Sequence, residues 1–312
     1  MDNLLFDINQ RFYRYSEYLT RKFGSKVQKI SVNTGLSCPN LDGTCSFGGC
    51  IYCNNEGFVP SYSNKITPIP DQIDQGIIFF ERKRQYQYLA YYQSYTNTHT
   101  SPENLRNLLM QSVNHPKIVG IVVSTRPDCV SPEIISVLKE VHQIKPLMVE
   151  FGMESSLDRT LKLLNRGHSY EQLCSAVERS AQAGLDVGVH VILGLPGELR
   201  DEIIGHARAI SKLPVSIVKI HQLQIVKRTK LAKLYREDPN YVQLIGWEDY
   251  VEICCDFLEI LRSDIAVDRF ASQTKPELLE VPYWDGVKNH HITHLVQNRM
   301  VERQSYQGKH WE

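Results

Sequence analysis

Short runs of β-branched and aromatic residues alternate along the chain with segments whose apolar residues recur at helical spacing. This alternation is typical of a βα series. The predicted strands lie at 26–32, 87–95, 117–125, 147–153, 185–193 and 216–225. Six parallel strands with crossover helices can close part of the way around as a barrel or lie open as a doubly wound sheet, and periodicity does not separate the two.

Serines mark the beginnings of three predicted helices. Ser101 and Ser131 each precede a proline and a glutamate, as expected of an N-cap followed by proline at the first helical position. Ser169 and Gln172 fit a capping box, and Gly184 closes the same helix as a C′ residue. These signals place the crossover helices between the strands.

The pattern changes after the sixth strand. The stretch WEDYVEICCDFLEILRSD (247–264) is one amphipathic helix, and a histidine-rich tail follows it. We therefore predict an N-terminal extension (1–25), an α/β domain (26–230) and a small C-terminal helical extension (231–312).

The composition is that of an ordinary globular protein. Hydrophobic residues make up 42% of the 312 positions, and 35 basic side chains balance 35 acidic ones, so the whole chain has no basic excess of the kind that indicates a nucleic-acid binder. The N-terminal segment does not read as a signal peptide, and no apolar run approaches the roughly 20 residues of a membrane helix. We expect a cytoplasmic protein with reduced thiols and no membrane partner.

Four of the eight cysteines lie in the loop after the first predicted strand, CPNLDGTCSFGGCIYCNN, at positions 38, 45, 50 and 53. In either α/β fold this loop lies at the carboxyl edge of the strands, where sites are built. The Cys50–Cys53 pair has the CxxC spacing that brings two thiolates to one metal or cluster. Zinc would use all four cysteines, whereas a catalytic iron–sulfur cluster would use three. Spacing alone leaves three possibilities open: a zinc site, an iron–sulfur site, and buried cysteines that bind no metal.

The loop reads CPN, then eleven residues, then CxxC with Tyr52 before the last cysteine. Further motifs are STRPD (124–128), LLNRG (163–167) and ILGLPGE (192–198). Together they resemble a bacterial family of radical S-adenosylmethionine (radical SAM) proteins, in the group of the elongator catalytic subunit and the oxygen-independent coproporphyrinogen oxidases. The resemblance implies a partial (β/α)6 barrel and a [4Fe-4S] cluster on Cys38, Cys50 and Cys53. Cys45 falls where the pattern needs no cysteine.

The resemblance also implies where S-adenosylmethionine binds. Thr96 and Asn97 occupy the turn after the second strand that contacts the methionine end. Glu154 follows the fourth strand, Arg166 matches an arginine that reaches the carboxylate, and His190 matches a ribose contact. Tyr52, the aromatic residue of the CxxC motif, belongs to the same set of cofactor contacts. One departure is Ser124, where the group often has a glutamate.

Each of these residues also has a purely structural interpretation. Glu154 can cap a helix, Arg166 can be a surface cation at a helix end, and His190 can be a core histidine. His290 and His294 are interpreted as one polar helix face. The remaining cysteines are interpreted as small apolar core residues at Cys129, Cys174, Cys254 and Cys255.

Three functions remain in view. The first is a radical SAM enzyme that modifies tRNA, at the wobble uridine, with a one-electron donor such as flavodoxin or ferredoxin. The second keeps this chemistry on a small molecule, and the third is a non-catalytic zinc module that binds nucleic acid or protein. For a tRNA substrate, basic and aromatic residues are expected to gather on the cluster side: Arg11, Arg14, Arg21, Lys22, Lys288, Lys309 and Trp311. The alternative for the N-terminal stretch is an amphipathic helix packed on the barrel.

Overall fold

The six predicted apolar runs form six strands of one parallel sheet. In the computed structural model, which describes residues 4–81 and 87–312, the strands are β1 (Val27–Val32), β2 (Gln87–Tyr92), β3 (Ile118–Thr125), β4 (Leu147–Glu154), β5 (Asp186–Leu193), β6 (Ile217–Gln222), β7 (Ile225–Val226), β8 (Ala266–Val267) and β9 (Leu279–Val281). The main sheet has the order β1-β2-β3-β4-β5-β6-β8, and its neighbouring strands are parallel. The two-residue β8 is a seventh strand that the sequence pattern did not predict. β7 and β9 form a separate antiparallel pair.

The sheet curls into a partial barrel. Lys29 on β1 reaches Glu150 on β4 at 3.0 Å and Asp268, directly after β8, at 2.9 Å, so side chains from both edges of the sheet meet inside it. Among the described strands β1 and β8 remain unpaired with each other. The partial barrel is therefore confirmed, and the flat doubly wound sheet is excluded.

Helices cover the outer face of the sheet. They are α1 (Tyr15–Phe23), α2 (Ile69–Glu81), α3 (Pro102–Val113), α4 (Pro132–Ile144), α5 (Asp158–Leu163), α6 (Tyr170–Gln182), α7 (Arg200–Ser211), α8 (Lys230–Glu237), α9 (Trp247–Ile260) and α10 (Asn289–Glu302). The predicted caps are confirmed at Ser101, Ser131 and Ser169, the last as a full capping box, and Gly184 has a φ of 84°. Strands buried on both faces explain why the sequence showed continuous apolar runs.

The C-terminal extension is helical, as predicted. Cys254 and Cys255 are buried in α9, whereas Cys129 and Cys174 are only half-buried. His290 and His294 lie on the exposed face of α10, which confirms the polar-face interpretation. In the described parts of the chain, no helix combines the length and apolarity needed to cross a membrane.

The N-terminal helix closes the amino-terminal end of the barrel, opposite the cysteine loop. Tyr13, Tyr15 and Leu19 pack against inward-facing residues near the beginnings of the strands. Lys22 forms an ion pair with Asp186, the first residue of β5. The alternative of a packed amphipathic helix is confirmed, because burial of its apolar face fixes the position of its cations.

The expectation that the basic residues gather on the cluster side is therefore wrong for most of them. Arg14 hydrogen-bonds Gln297 near the end of α10, and residues 307–310 hydrogen-bond Arg11 and the last turns of α9, also at the amino-terminal end of the barrel. Lys288 is the exception, because it lies towards the carboxyl ends of the strands. It directly precedes Asn289, the first residue of α10, and the Asn289 side chain accepts hydrogen bonds from the backbone N–H groups of Phe270 and Ala271, which follow β8.

Candidate active site at the carboxyl edge of the barrel

A cavity of about 480 Å³ opens at the carboxyl ends of the strands. The loop after β1 forms one wall, and the ends of β2 to β6 form the others. Cys38, Cys50 and Cys53 all line it. The cysteine loop thus lies where the parallel topology predicts, at the edge where α/β folds build their sites.

The fourth cysteine of the loop faces elsewhere. The Cys45 thiol donates to Asp128 Oδ2 at 3.4 Å, and Cys45 does not line the cavity. Within residues 4–81 and 87–312, no three histidine, cysteine or acidic side chains converge as they would around a single ion. Zinc would hold its thiolate sulfurs about 3.8 Å apart through bonds of about 2.3 Å. A cluster offers each thiolate its own iron, and three thiols of this loop line the cavity.

Asn40 anchors the cysteine loop to the LLNRG motif. Its fully buried amide donates to the carbonyl oxygens of Asn165 at 2.7 Å and Arg166 at 2.9 Å, and lies 3.5 Å from Cys50 Sγ. Gly167 has a φ of 78°, and a Cβ there would lie 2.6 Å from Asn40 Oδ1. The two motifs therefore depend on each other: asparagine reaches across only because glycine leaves room.

Arg166 and Glu154 form a buried pair beside Cys50. Arg166 Nη2 donates to the Gly152 carbonyl at 2.8 Å and lies 3.4 Å from Glu154 Oε1, while Nη1 is 3.7 Å from Cys50 Sγ. Burial raises the pKa of Glu154, and the Arg166 guanidinium opposes that shift. Both side chains line the cavity, so the interpretations as a helix cap and a surface cation are wrong.

The turn after β2 contributes one of its two predicted residues to the cavity. Thr96 lines it, as does Tyr52 of the CxxC motif. Asn97 does not: its amide donates to the carbonyl oxygens of Tyr92, Ser94 and Ser124 at 2.9–3.2 Å, and its oxygen accepts from Thr34. Its amide is committed to joining the ends of β2 and β3, so the structure gives Asn97 a positioning role instead of a place at the cavity.

His190 lines the cavity and contacts a buried carboxylate. Its Nε2 lies 2.9 Å from Glu150 Oε2, and burial, with the nearby Lys219 charge, lowers the pKa of His190 to about 4. Ser124 Oγ donates to the same Glu150 carboxylate at 3.3 Å. A carboxylate therefore lies beside Ser124, on the neighbouring strand β4.

Sequence reasoning missed the ionisable residues inside the barrel. Glu150 contacts Lys219 at 2.6 Å and Lys29 at 3.0 Å, and Asp268 completes the group. Glu150 interrupts the apolar run LMVEFGM of β4, and this single buried carboxylate was the available signal.

Arg126 is a second omission, although it belongs to the STRPD motif. It is 2% exposed, and Nε and Nη2 each donate to an oxygen of Asp128. Its Nη1 is buried without a hydrogen-bond partner, and the side chain lines the cavity. An unsatisfied guanidinium N–H at this place suits an anionic ligand group.

Known families match most of the chain. The family model described as the Radical SAM superfamily matches residues 42–210, and the model described as the Radical_SAM C-terminal domain matches residues 215–302. The first match contains Cys50 and Cys53 and begins after Cys38.

Individual relatives span either the whole chain or its barrel. The uncharacterized protein YtqA of Bacillus subtilis is 32% identical over 304 residues, covering 97% of this chain and 94% of that protein. The tRNA uridine(34) acetyltransferase of Methanocaldococcus infernus is 25% identical over 193 residues, covering 60% of this chain but 34% of that protein. The solved structure of Methanocaldococcus infernus Elp3 with an N-terminal deletion is similar in fold, with a TM-score of 0.68 and 19% identity over 91% of this chain and 64% of that one.

Proposed function

The chain belongs to the radical SAM superfamily, and we propose that it holds a [4Fe-4S] cluster on Cys38, Cys50 and Cys53 and binds S-adenosylmethionine beside it. The observation that carries this proposal is that these three thiols line one cavity while Cys45 faces Asp128 outside it. When bound, the cluster supplies one electron that splits S-adenosylmethionine into methionine and a 5′-deoxyadenosyl radical, which takes a hydrogen atom from the substrate.

Residues of the chain supply the groups that the cofactor needs. Arg126 Nη1 and Arg166 Nε are buried N–H groups that find no hydrogen-bond partner in the described part of the chain, and both suit the cofactor carboxylate. The Glu154 carboxylate suits its ammonium group, and Thr96 and His190 offer hydrogen bonds to the rest of the molecule. Tyr52 contributes an aromatic wall. The surrounding apolar strands limit access of water, as a radical reaction requires.

The metal ligands can be tested by replacing cysteines one at a time. We expect Cys38→Ala, Cys50→Ala and Cys53→Ala each to abolish iron binding after anaerobic reconstitution, with loss of the absorbance near ~400 nm that iron–sulfur proteins show. Cys45→Ala is the matched control in the same loop and should retain iron near the wild-type level. Loss of metal in Cys45→Ala to the same degree as in Cys50→Ala would favour a four-thiolate zinc site instead.

As the substrate we propose tRNA, with a wobble uridine as the modified nucleoside, in the cytoplasm and with flavodoxin or ferredoxin as electron donor. The support is the likeness to the tRNA uridine(34) acetyltransferase, which covers 60% of this chain, and to Elp3 in fold. The N-terminal cations lie at the far end of the barrel, so they do not support this substrate. Nucleoside analysis of tRNA from a deletion strain is the test, and an unchanged profile would argue against it.

A small molecule is the second candidate substrate. It is favoured by that same position of α1, which keeps the N-terminal cations away from the mouth of the cavity, where a polyanion would need them. Measurable tRNA binding that weakens steeply with salt would support the first candidate, whereas no binding at low salt would favour the second.

A further inference from the structure

Among the described residues, four arginines line the cavity, and three of them have a carboxylate partner. Arg126 pairs with Asp128 at 2.8 Å, Arg166 with Glu154 at 3.4 Å and Arg228 with Glu56 at 3.4 Å. The fourth, Arg269, forms no ion pair among the described residues. Its Nη2 lies 3.2 Å from His221 Nε2, and its buried Nε has no hydrogen-bond partner.

The nearest carboxylates are already used by two lysines. Asp268 contacts Lys29 at 2.9 Å and Lys219 at 3.5 Å, and Glu150 contacts the same two lysines. Burial alone would raise the pKa values of both carboxyls, but the lysine charges hold them below their usual range, so both are ionised at neutral pH. Burial lowers the pKa of Lys219 to about 8, which still leaves it mostly protonated. Two cations therefore balance two anions, and Arg269 adds one positive charge.

The histidine beside Arg269 presents a second donor. An arginine can only donate, so His221 Nε2 must accept, and the imidazole proton of the neutral ring is then on Nδ1. Burial, reinforced by the Arg269 charge, lowers the pKa of His221 well below its usual value, in agreement with a neutral ring. Arg269 and His221 both line the cavity. Among the described residues, this corner of the site has N–H donors and one positive charge more than its carboxylates, Glu150 and Asp268, balance.

We propose that Arg269, assisted by His221, binds an anionic group of the substrate, a carboxylate or a phosphate. A half-buried guanidinium without a counter-ion is costly, and a ligand anion that forms charge-assisted hydrogen bonds offsets that cost. The inference rests on the proposed function, because it assumes that the cavity holds the substrate. Beyond the proposed function, the inference names the chemical class of one substrate group, an anion, and its place beside the ends of β6 and β8.

The test measures stabilisation of the reconstituted holoenzyme by simple anions. Thermal midpoints are recorded against sodium phosphate and against sodium propionate, with sodium chloride at matched ionic strength as the reference. We expect a saturable rise for at least one of the two anions. In Arg269→Gln the half-saturating concentration should increase about ten- to a hundredfold, the range for a lost hydrogen bond to a charged group. Arg269→Lys keeps the charge and should lose less.

Arg228→Gln is the matched control, because Arg228 lines the same cavity but is 74% exposed and already paired. Its anion response should equal that of the wild type. Uridine 5′-monophosphate compared with uridine identifies a nucleotide phosphate as the source, and a response to propionate alone identifies a carboxylate. No saturable response in the wild type, or an equal response in Arg269→Gln, would overturn the inference.

Iron content and S-adenosylmethionine cleavage are measured on the same samples. Arg269→Gln should retain its iron, since the hydrogen-bond partner of its side chain is His221 and not a cysteine. If Cys50→Ala retains iron, the proposed function fails, whereas the anion titration still decides the role of Arg269.

Discussion

Replacing Glu150 by glutamine should lower the free energy of unfolding by about 3–5 kcal/mol, the cost of removing one partner from a buried ion pair. Glu150 is 1% exposed and contacts Lys219 at 2.6 Å and Lys29 at 3.0 Å. Glutamine keeps the size and shape of the side chain but leaves two buried ammonium groups to share Asp268. With about 2.1 cal/mol/K of unfolding entropy per residue, 312 residues give about 0.65 kcal/mol/K, so the midpoint should fall by about 5–8 °C.

The assay is thermal unfolding followed by far-UV circular dichroism under anaerobic conditions. Glu140→Gln is the control, since Glu140 forms an exposed pair with Arg106 and should change little. The pH dependence gives a second readout. Burial alone would raise the pKa of Glu150, but Lys219, Lys29 and His190 hold it well below its usual 4.5. This stabilisation is complete above about pH 4.5 and is lost as the pH falls through the native pKa, so Glu150→Gln should flatten that acid slope. A midpoint within 1–2 °C of wild type would refute the reasoning.

Two further substitutions test the upper part of the site. Gly152→Ala should weaken S-adenosylmethionine binding about tenfold or more without loss of iron, because the added Cβ would lie 2.3 Å from Arg166 Nη2. Calorimetric titration measures the binding, and Gly205→Ala, where the added Cβ meets open space, is the control. Asn97→Ala should cost about 1–3 kcal/mol of stability by leaving buried carbonyl oxygens without a donor. Unchanged thermal stability with lost cofactor binding would instead return Asn97 to a direct cofactor contact.

The parts of the fold that were predictable are those that short segments determine. A strand covered on both sides is mostly apolar, so β1 to β6 could be located from their runs of β-branched and aromatic residues. Ser101, Ser131 and Ser169 act within one helical turn, and their role does not depend on distant residues. The two-residue β8 has no such signal, because it exists only where the existing edge of the sheet aligns it.

The residues of the site were likewise predictable only where their position does not depend on contacts between distant parts of the chain. The cysteine loop could be placed because every loop after a parallel strand lies at the carboxyl edge. The charged group inside the barrel could not, since Lys29 and Asp268 are 239 residues apart and Glu150 and Lys219 are 69 apart. Asn97 was misjudged for a related reason: the carbonyl oxygens that occupy its amide come from the ends of two different strands.

The contact between Gln307 and the N-terminal segment determines the order in which the barrel can be completed. Gln307 Oε1 accepts from the backbone N–H of Tyr13, 294 residues away, and the backbone N–H of Gln307 donates to the Arg11 carbonyl. During synthesis Tyr13 emerges early, while Gln307 emerges only after every strand of the sheet has been made. Until then these hydrogen bonds are missing, and only its packing against the barrel holds the apolar face formed by Tyr13, Tyr15 and Leu19 in place. Loss of Gln307 should therefore reduce the yield of folded protein in cells more than it changes the chemistry at the opposite end of the barrel.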